Sequence, residues 1–357
     1  MSDLIYLASL HSIWISQKKL NLIFETNSNY KNFYEKLGYE NLQSFFTSSE
    51  IEKILLKKEK FDIDKLSKII VSNNIDIITI HDDKYPKLLK QIINSPYLFY
   101  LIWEIDNSPK IWVIGSRWMT LYWKKVIEKI VPHLSKYFTI VSWWAMGCDS
   151  EAHKQTIKNN WKTIVVVWTW IDIVYPVWNK NLYDNVVNSN WWIVSIFPIW
   201  EQANVYTFPI RNEIIAALSS WILVVESWEK SWTLITVNLA LEQWKDIFAI
   251  PWELFKINSV WCNNLIKNWN AKIVTSVEDI FEEYNINILE PLENINQISF
   301  ANEIEKIIYN VLLLENLDID LLLYKTNLSL NEITVNLSMM EIKWIIKKWL
   351  NWKYEIN

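Results

Sequence analysis

Between residues 110 and 285 short apolar runs alternate with amphipathic stretches. The runs cover 111–114, 138–141, 163–167, 193–196, 222–225 and 247–250. They are rich in Val and Ile and show little polar alternation, which is the pattern of strands buried on both faces. Amphipathic stretches near 121–134, 149–159, 179–188, 209–218 and 232–243 separate them. A repeated strand–helix alternation predicts an α/β fold with a parallel sheet and helices on both faces. Ligands of such sheets bind beyond the carboxyl ends of the strands.

The flanks read differently. Residues 1–100 are expected to be a small helical domain, with helices near 28–37, 48–58, 62–72 and 84–94 and a short strand at 97–102. The core is expected over 105–287. A linker with Pro291 and scattered Asn covers 288–300. Over 301–357, helices near 301–314, 318–326 and 328–343 precede two short strands at 345–348 and 353–356. That order predicts a helix-turn-helix with a β wing.

Composition then changes the reading of the loops. Trp occurs 24 times in 357 residues and Gly only 3 times, whereas Gly ordinarily makes up about 7% of a chain. Trp follows Asn at Asn160, Asn190, Asn268 and Asn351, and follows Pro at Pro251. Asn-Gly and Pro-Gly are turn signals because Gly tolerates positive φ; Asn-Trp and Pro-Trp are not. A gene whose UGA codons mean Gly, translated with a table in which UGA means Trp, produces this pattern. The contrasting expectation is a true Trp-rich surface, as in a carbohydrate or lipid binder.

The net charge of −5 marks neither a basic nucleic-acid tail nor a disordered acid. Two cysteines, Cys148 and Cys262, without a CxxC pattern, argue against a disulfide scaffold or zinc site and fit a reducing cytoplasm. The first residues lack a basic segment, so no signal peptide is expected. No apolar run reaches membrane-spanning length, so no membrane association is expected. The histidines His11, His81, His133 and His153 show no ligand spacing, and no metal or cofactor is expected. Of 35 basic residues only Arg117 and Arg211 are Arg. In a Lys-, Asn- and Ile-rich chain, a retained Arg points to a need for its flat, forked, permanently charged head.

Three strand-to-helix turns carry the candidate chemistry. The first is Gly115-Ser116-Arg117. The second is Ser142-Trp143-Trp144-Ala145-Met146-Gly147-Cys148-Asp149. The third is Glu226-Ser227-Trp228-Glu229-Lys230-Ser231-Trp232-Thr233. With Trp read as Gly, these loops let backbone N–H groups approach a phosphate, and the helix that follows favours negative charge. Tight packing explains any one such loop; three in register predict an anion-binding edge. No catalytic set emerges. Asp149 and His153 are four apart on one helix, which reads better as a helix cap and a packed His than as acid–base machinery. Asp172 and Glu226 lack visible partners.

These segments resemble, in this order, the DNA-processing protein A family (DprA/Smf). The resemblance rests on VIGSR at 113–117, SWWAMGCDSEAH at 142–153, WTWIDIVYPVWNKNL at 168–182, FPIRNEIIAALS at 208–219, ESWEKSWTLIT at 226–236, ALEQWKDIFAIPWEL at 240–254 and SVWCNNLIKNWNA at 259–271. The Trp letters in them fall on family glycines. The resemblance implies an extended Rossmann-like core, an N-terminal helical domain of the SAM or helix-hairpin-helix kind, and a C-terminal winged helix. It implies a non-enzymatic, cytoplasmic protein that binds single-stranded DNA. Such a protein protects incoming DNA in natural transformation, helps load a RecA-type recombinase, and acts as a homodimer. The implied DNA-binding positions are Gly115, Ser116, Arg117, Gly147, Arg211, Asn212, Lys230 and Ser231. Trp143, Trp144, Trp232 and Thr233 join them from the loop reading. Three departures weaken the match: Glu213 stands where the family often has a second Arg, Ala217 where it has Gly, and Ile196 where it has Glu. The rival expectation is a Rossmann-like nucleotide phosphoribohydrolase. It is disfavoured because the segment Leu234-Ile235-Thr236-Val237 carries no carboxylate after the loop.

Overall fold

The computed structural model describes the chain apart from residues 1, 26–28, 104, 106–107, 118, 176–179, 190, 203, 205–206, 228–231, 253–256, 287–299, 314, 344, 349–351 and 357. The chain divides into two compact units, Met1–Ile286 and Asn287–Asn357.

The first unit opens with α1 (Asp3–Ser12), α2 (Gln17–Ile23), α3 (Tyr30–Glu35), α4 (Tyr39–Leu42), α5 (Ser48–Lys60) and α6 (Ile63–Ser72). β1 (Ile75–Thr79), α7 (Lys87–Lys90) and β2 (Leu98–Ile102) follow. Then comes the alternation: β3 (Lys110–Ile114), α8 (Leu121–Tyr137), β4 (Thr139–Ser142), α9 (Cys148–Lys158), β5 (Thr163–Val166), α10 (Lys180–Asn188), β6 (Trp192–Ser195), α11 (Thr207–Leu218), β7 (Trp221–Val224), α12 (Trp232–Glu242), β8 (Asp246–Ala249), α13 (Ile257–Lys267), β9 (Lys272–Ile273) and α14 (Glu278–Glu283). The second unit contains α15 (Glu303–Leu312), α16 (Ile319–Thr326), α17 (Leu330–Ile342) and an antiparallel hairpin of β10 (Ile346–Lys348) and β11 (Tyr354–Ile356).

The nine-stranded sheet runs β1-β2-β6-β5-β4-β3-β7-β8-β9. All pairings from β6 to β9 are parallel; β1–β2 and β2–β6 are antiparallel. β3 is the first strand of the parallel run, and the chain winds outward from it in both directions. The switch point therefore lies between β3 and β7, where a crevice opens at the carboxyl ends.

The expected division at residue 100 is not observed. β1 and β2 extend the core sheet, with Ile75 opposite Ile102 and Tyr100 opposite Ser195. α1 is missing from the expected helices because it has no clean apolar stripe: Ile5, Leu7, Ala8 and Leu10 are all buried. The expected helix at 84–94 shrinks to Lys87–Lys90, behind Pro86. The expected linker at 288–300 lies outside the described residues up to 299.

Successive residues on a strand face opposite sides, and the sheet accordingly carries two cores. Ile164 and Val166 on β5 pack with residues of α11 and α12, including Ile214, Ile215, Val237 and Ala240. Val165 between them packs on the opposite face with Leu7, Leu20, Leu42 and Leu66 of the N-terminal helices. Each fully buried aliphatic side chain of this kind contributes about 1.5–3 kcal/mol.

Helix ends expose an unusual use of Trp. Ten described residues other than Gly have positive φ: Trp14, Trp103, Trp200, Trp244, Trp269 and Trp352, and Asn74, Asn160, Asn285 and Asn327. All are Trp or Asn. After α12, Trp244 N–H donates to Leu241 O (3.0 Å) and Lys245 N–H to Ala240 O (3.0 Å). After α13, Trp269 N–H donates to Ile266 O (3.1 Å) and Asn270 N–H to Leu265 O (2.9 Å). This is the Schellman cap, whose left-handed position is usually Gly and sometimes Asn. Asn160 and Asn285 make the same cap after α9 and α14. Trp244 and Trp269 are each 95% exposed, so their rings gain no packing in exchange for the strained backbone.

Candidate functional site

The loop after β3 and the start of α9 meet at the switch point. Cys148 N–H donates to Ser116 O (3.2 Å), tying the α9 N-terminus to the first candidate loop. Gly147, the residue preceding α9, has φ of 85°. A side chain there would strike the backbone of Ser116 and Arg117. At Gly115 a side chain would collide with Cys148 and approach Glu226 N at 3.3 Å. Both positions need Gly because backbone meets backbone, or a packed thiol, with no space for a methyl. Val225 N–H donates to Ile114 O (2.9 Å), which brings the loop after β7 alongside.

Both arginines come to this point from different elements. Arg117, exposed, follows β3; Arg211, fully buried, comes from α11. The Arg211 guanidinium carbon lies 4.0 Å from the Trp143 ring centroid and that of Arg117 lies 5.2 Å from the same ring. Trp168 stands edge-on to Trp143, centroids 5.6 Å apart, and 5.6 Å from Arg211. Each guanidinium–ring contact is a cation–π interaction, stronger where water is excluded. Arg211 Nε donates to Asn212 Oδ1 (2.9 Å), and Asn212 Nδ2 donates to Thr236 Oγ1 (3.0 Å) on α12. Two helices thus hold the Arg211 side chain in one orientation.

A carboxyl lies beneath this pair. Asp149, in the first turn of α9, is fully buried beside Ser142 at the end of β4. Burial pushes its pKa up to about 7, against the opposing pull of the Ser142 hydroxyl, Arg211 and Arg117. Burial likewise lowers Arg211 to about 9, and the Asp149 charge opposes that shift. Arg211 remains a cation at neutral pH. The Cys148 thiol is pushed well up by burial and by the Asp149 and Glu226 charges, so it is no nucleophile.

Of the expected site residues, the structure brings together Gly115, Ser116, Arg117, Trp143, Gly147, Arg211 and Asn212. Trp144 is not among them. It packs on the opposite face of the sheet with the N-terminal helices, tilted against His153 and Tyr183 at 5.8 Å. Lys230 and Ser231 lie outside the described residues, as do the side chains of Trp232 and Thr233 at the start of α12. Asp149 and His153 do not pair. His153 Nδ1 lies 2.6 Å from Thr163 Oγ1, and burial lowers its pKa to about 4, leaving a neutral core His. Asp149 does not cap its helix either; it reaches back to Ser142. Glu226 is buried beside Cys148, whereas Asp172 lies near Tyr183. Thr236 and Trp168 join the site without a signal of their own in the sequence. Glu213 turns away from it, accepting from Asn94 Nδ2 (3.4 Å). Among the described residues no group of His, Cys, Asp and Glu is placed to hold a metal, and no helix is long and apolar enough to cross a membrane.

Known proteins share this architecture. The chain is 37% identical over 208 residues to DNA processing protein DprA of Streptococcus pneumoniae, covering 58% of this chain and 73% of that protein. It is 32% identical over 256 residues to DNA processing protein DprA of Bacillus subtilis, covering 69% of this chain and 86% of that protein. The crystal structure of the S. pneumoniae protein superposes with a TM-score of 0.67 at 30% identity, over 79% of this chain and 99% of that one. DNA processing protein A of Helicobacter pylori, studied for its single-stranded DNA binding mode, shares the fold with a TM-score of 0.53 at 22% identity, over 59% of this chain and 96% of that one. A family profile matches residues 76–285, from the second residue of β1 through β9 and α14. The chain belongs to the DNA recombination-mediator protein A family.

Proposed function

We propose that this chain binds single-stranded DNA along the rim between β3 and β7. In this reading it is a recombination mediator that protects incoming DNA during natural transformation and helps load a RecA-type recombinase, working as a homodimer. One observation carries it: the only two arginines of the chain converge on position 143, at the switch point and beside the N-terminus of α9. Paired guanidiniums and a helix N-terminus suit a sugar-phosphate backbone, which is read by charge and not by sequence. The three helices and hairpin of the second unit have the order of a winged helix.

The reading includes glycine at most Trp positions. Among the described residues six Trp hold left-handed backbone that Gly adopts freely, two of them in Schellman caps shared with Asn. With glycine at 143, the volume now filled by the indole opens between the two guanidiniums. Peptide sequencing of protein from the native source is expected to read Gly at 143, 232, 244 and 269; Trp at 143, 144 and 232 would overturn this part.

Strand binding is tested with a labelled oligo-dT at two salt concentrations, beside a nucleotide-hydrolysis assay. Binding should weaken steeply with salt. Arg117→Ala should reduce affinity alike for all sequences and lower the salt slope by about one. Hydrolysis without strand binding would overturn the reading.

A further inference from the structure

Ser142 Oγ lies within hydrogen-bonding reach of two acceptors, the backbone oxygen of Val113 (2.9 Å) and Asp149 Oδ1. A hydroxyl carries one proton and cannot donate to both. The arrangement is satisfied when Asp149 itself carries a proton and donates it to Ser142 Oγ, while Ser142 donates to Val113. The carboxyl is fully buried, and among the described residues the cations that act on it are Arg211 and, more weakly, Arg117.

We infer that Asp149 is a proton-controlled positioning residue of the strand site: protonated, it leaves the Arg211 charge to the DNA backbone; ionised, it draws that charge inward and weakens binding. The inference rests on the strand-binding reading of this rim. The groups facing Asp149 are Ser142 on β4, Arg211 from α11 and Arg117 from the loop after β3; Cys148 beside it feels the charges of both Asp149 and Glu226. His153, one turn along α9, turns to Thr163 and stays neutral. Burial opposes the ionised carboxyl, whereas the Ser142 hydroxyl and the two cations favour it, so the balance falls near neutrality. A bound phosphate competes with Asp149 for Arg211. Strand binding therefore raises the proton affinity of Asp149, and low pH raises strand affinity by the same linkage.

The test is oligo-dT binding to the full-length protein at constant ionic strength, at about pH 6 and about pH 8. Asp149→Asn retains the shape and the donor to Ser142 but never ionises. Wild-type affinity is expected to fall about tenfold on raising the pH, whereas D149N keeps the tight value at both. Thermal melting of D149N identifies a variant that fails to fold; Asp149→Ser then serves as the second uncharged variant. Equal pH dependence in wild type and the uncharged variant overturns the inference, as does tighter wild-type binding at high pH. Loss of binding at both pH values overturns the strand-binding reading together with it, so the two failures are distinguishable.

Discussion

The rim of the sheet and the C-terminal unit bury charge in opposite ways. At the rim, Arg211 and Asp149 are both fully buried, and the cation is shared among a carboxyl, an indole face and an Asn. In the C-terminal unit, Glu305 is 1% exposed. Its carboxylate, however, is fully engaged: it accepts from Ala301 N–H (2.6 Å) and twice from Lys343 Nζ (2.8 and 2.9 Å). Asn302, Asp318 and Ser329 cap the three helices there, Ser329 within a capping box with Glu332. That charge is structural. The charge at the rim persists against the desolvation that burial imposes, a cost more often met at functional sites than in ordinary packing.

Removing a partner separates the two regions most sharply. Arg211→Ala strands Asp149 without its cation, and the expected destabilisation is about 3 kcal/mol near pH 8. The loss shrinks at low pH, where the carboxyl is neutral. Urea unfolding at both pH values measures it; a loss independent of pH would place Arg211 with ordinary packing residues. Glu305→Gln is expected to cost about 1–3 kcal/mol through weakened bonds to Lys343 and Ala301, and to leave strand affinity unchanged. A change in affinity would erase the contrast between the regions.

Buried histidines sharpen the comparison on the acid side. Burial lowers His11 to about 3 and His153 to about 4 from the usual 6.5. Both are neutral in the fold and take up protons on unfolding. Their contribution is present above pH 6.5 and is lost as pH falls through the folded values. Asp149 acts with the opposite sign: its raised pKa favours the fold at low pH and that contribution is lost as pH rises toward 7. Melting temperature is expected to drop from pH 6 to pH 4, and His153→Gln should flatten part of that drop. A profile unchanged by the substitution would remove His153 from the acid response.

The smallest effect is expected on α17. No Lys or Arg lies within Leu330–Ile342, and Val335, Met339 and Ile342 are exposed. A helix without cations offers a phosphate backbone no charged side chain to bind. Met339→Gln should leave oligonucleotide affinity within about twofold, the range of a neutral surface substitution. A larger drop would assign this helix a share in strand binding.

The strand–helix alternation, the order of the core elements and the turns after β3 and β4 that are proposed as part of the site were readable along the chain. Each depends on local periodicity: the apolar runs from 111 to 250 match β3 to β8 within a residue or so at each end. The C-terminal helices and hairpin were readable for the same reason. Other features depended on tertiary structure. Strands β1 and β2 join the core because β2 pairs antiparallel to β6 and β1 antiparallel to β2, a long-range choice invisible in five-residue runs. Trp143 and Trp144 are neighbours in sequence but lie on opposite faces of the sheet, and only the packing of each face shows which one meets the arginines. Asp149 and His153 shared a helix face in the sequence, yet Ser142 and Thr163 on adjacent strands claim them separately. Local spacing determines which residues can form an element. Whether a buried charge finds a partner depends on chain segments far apart in sequence, and that is decided only when the sheet closes its two cores.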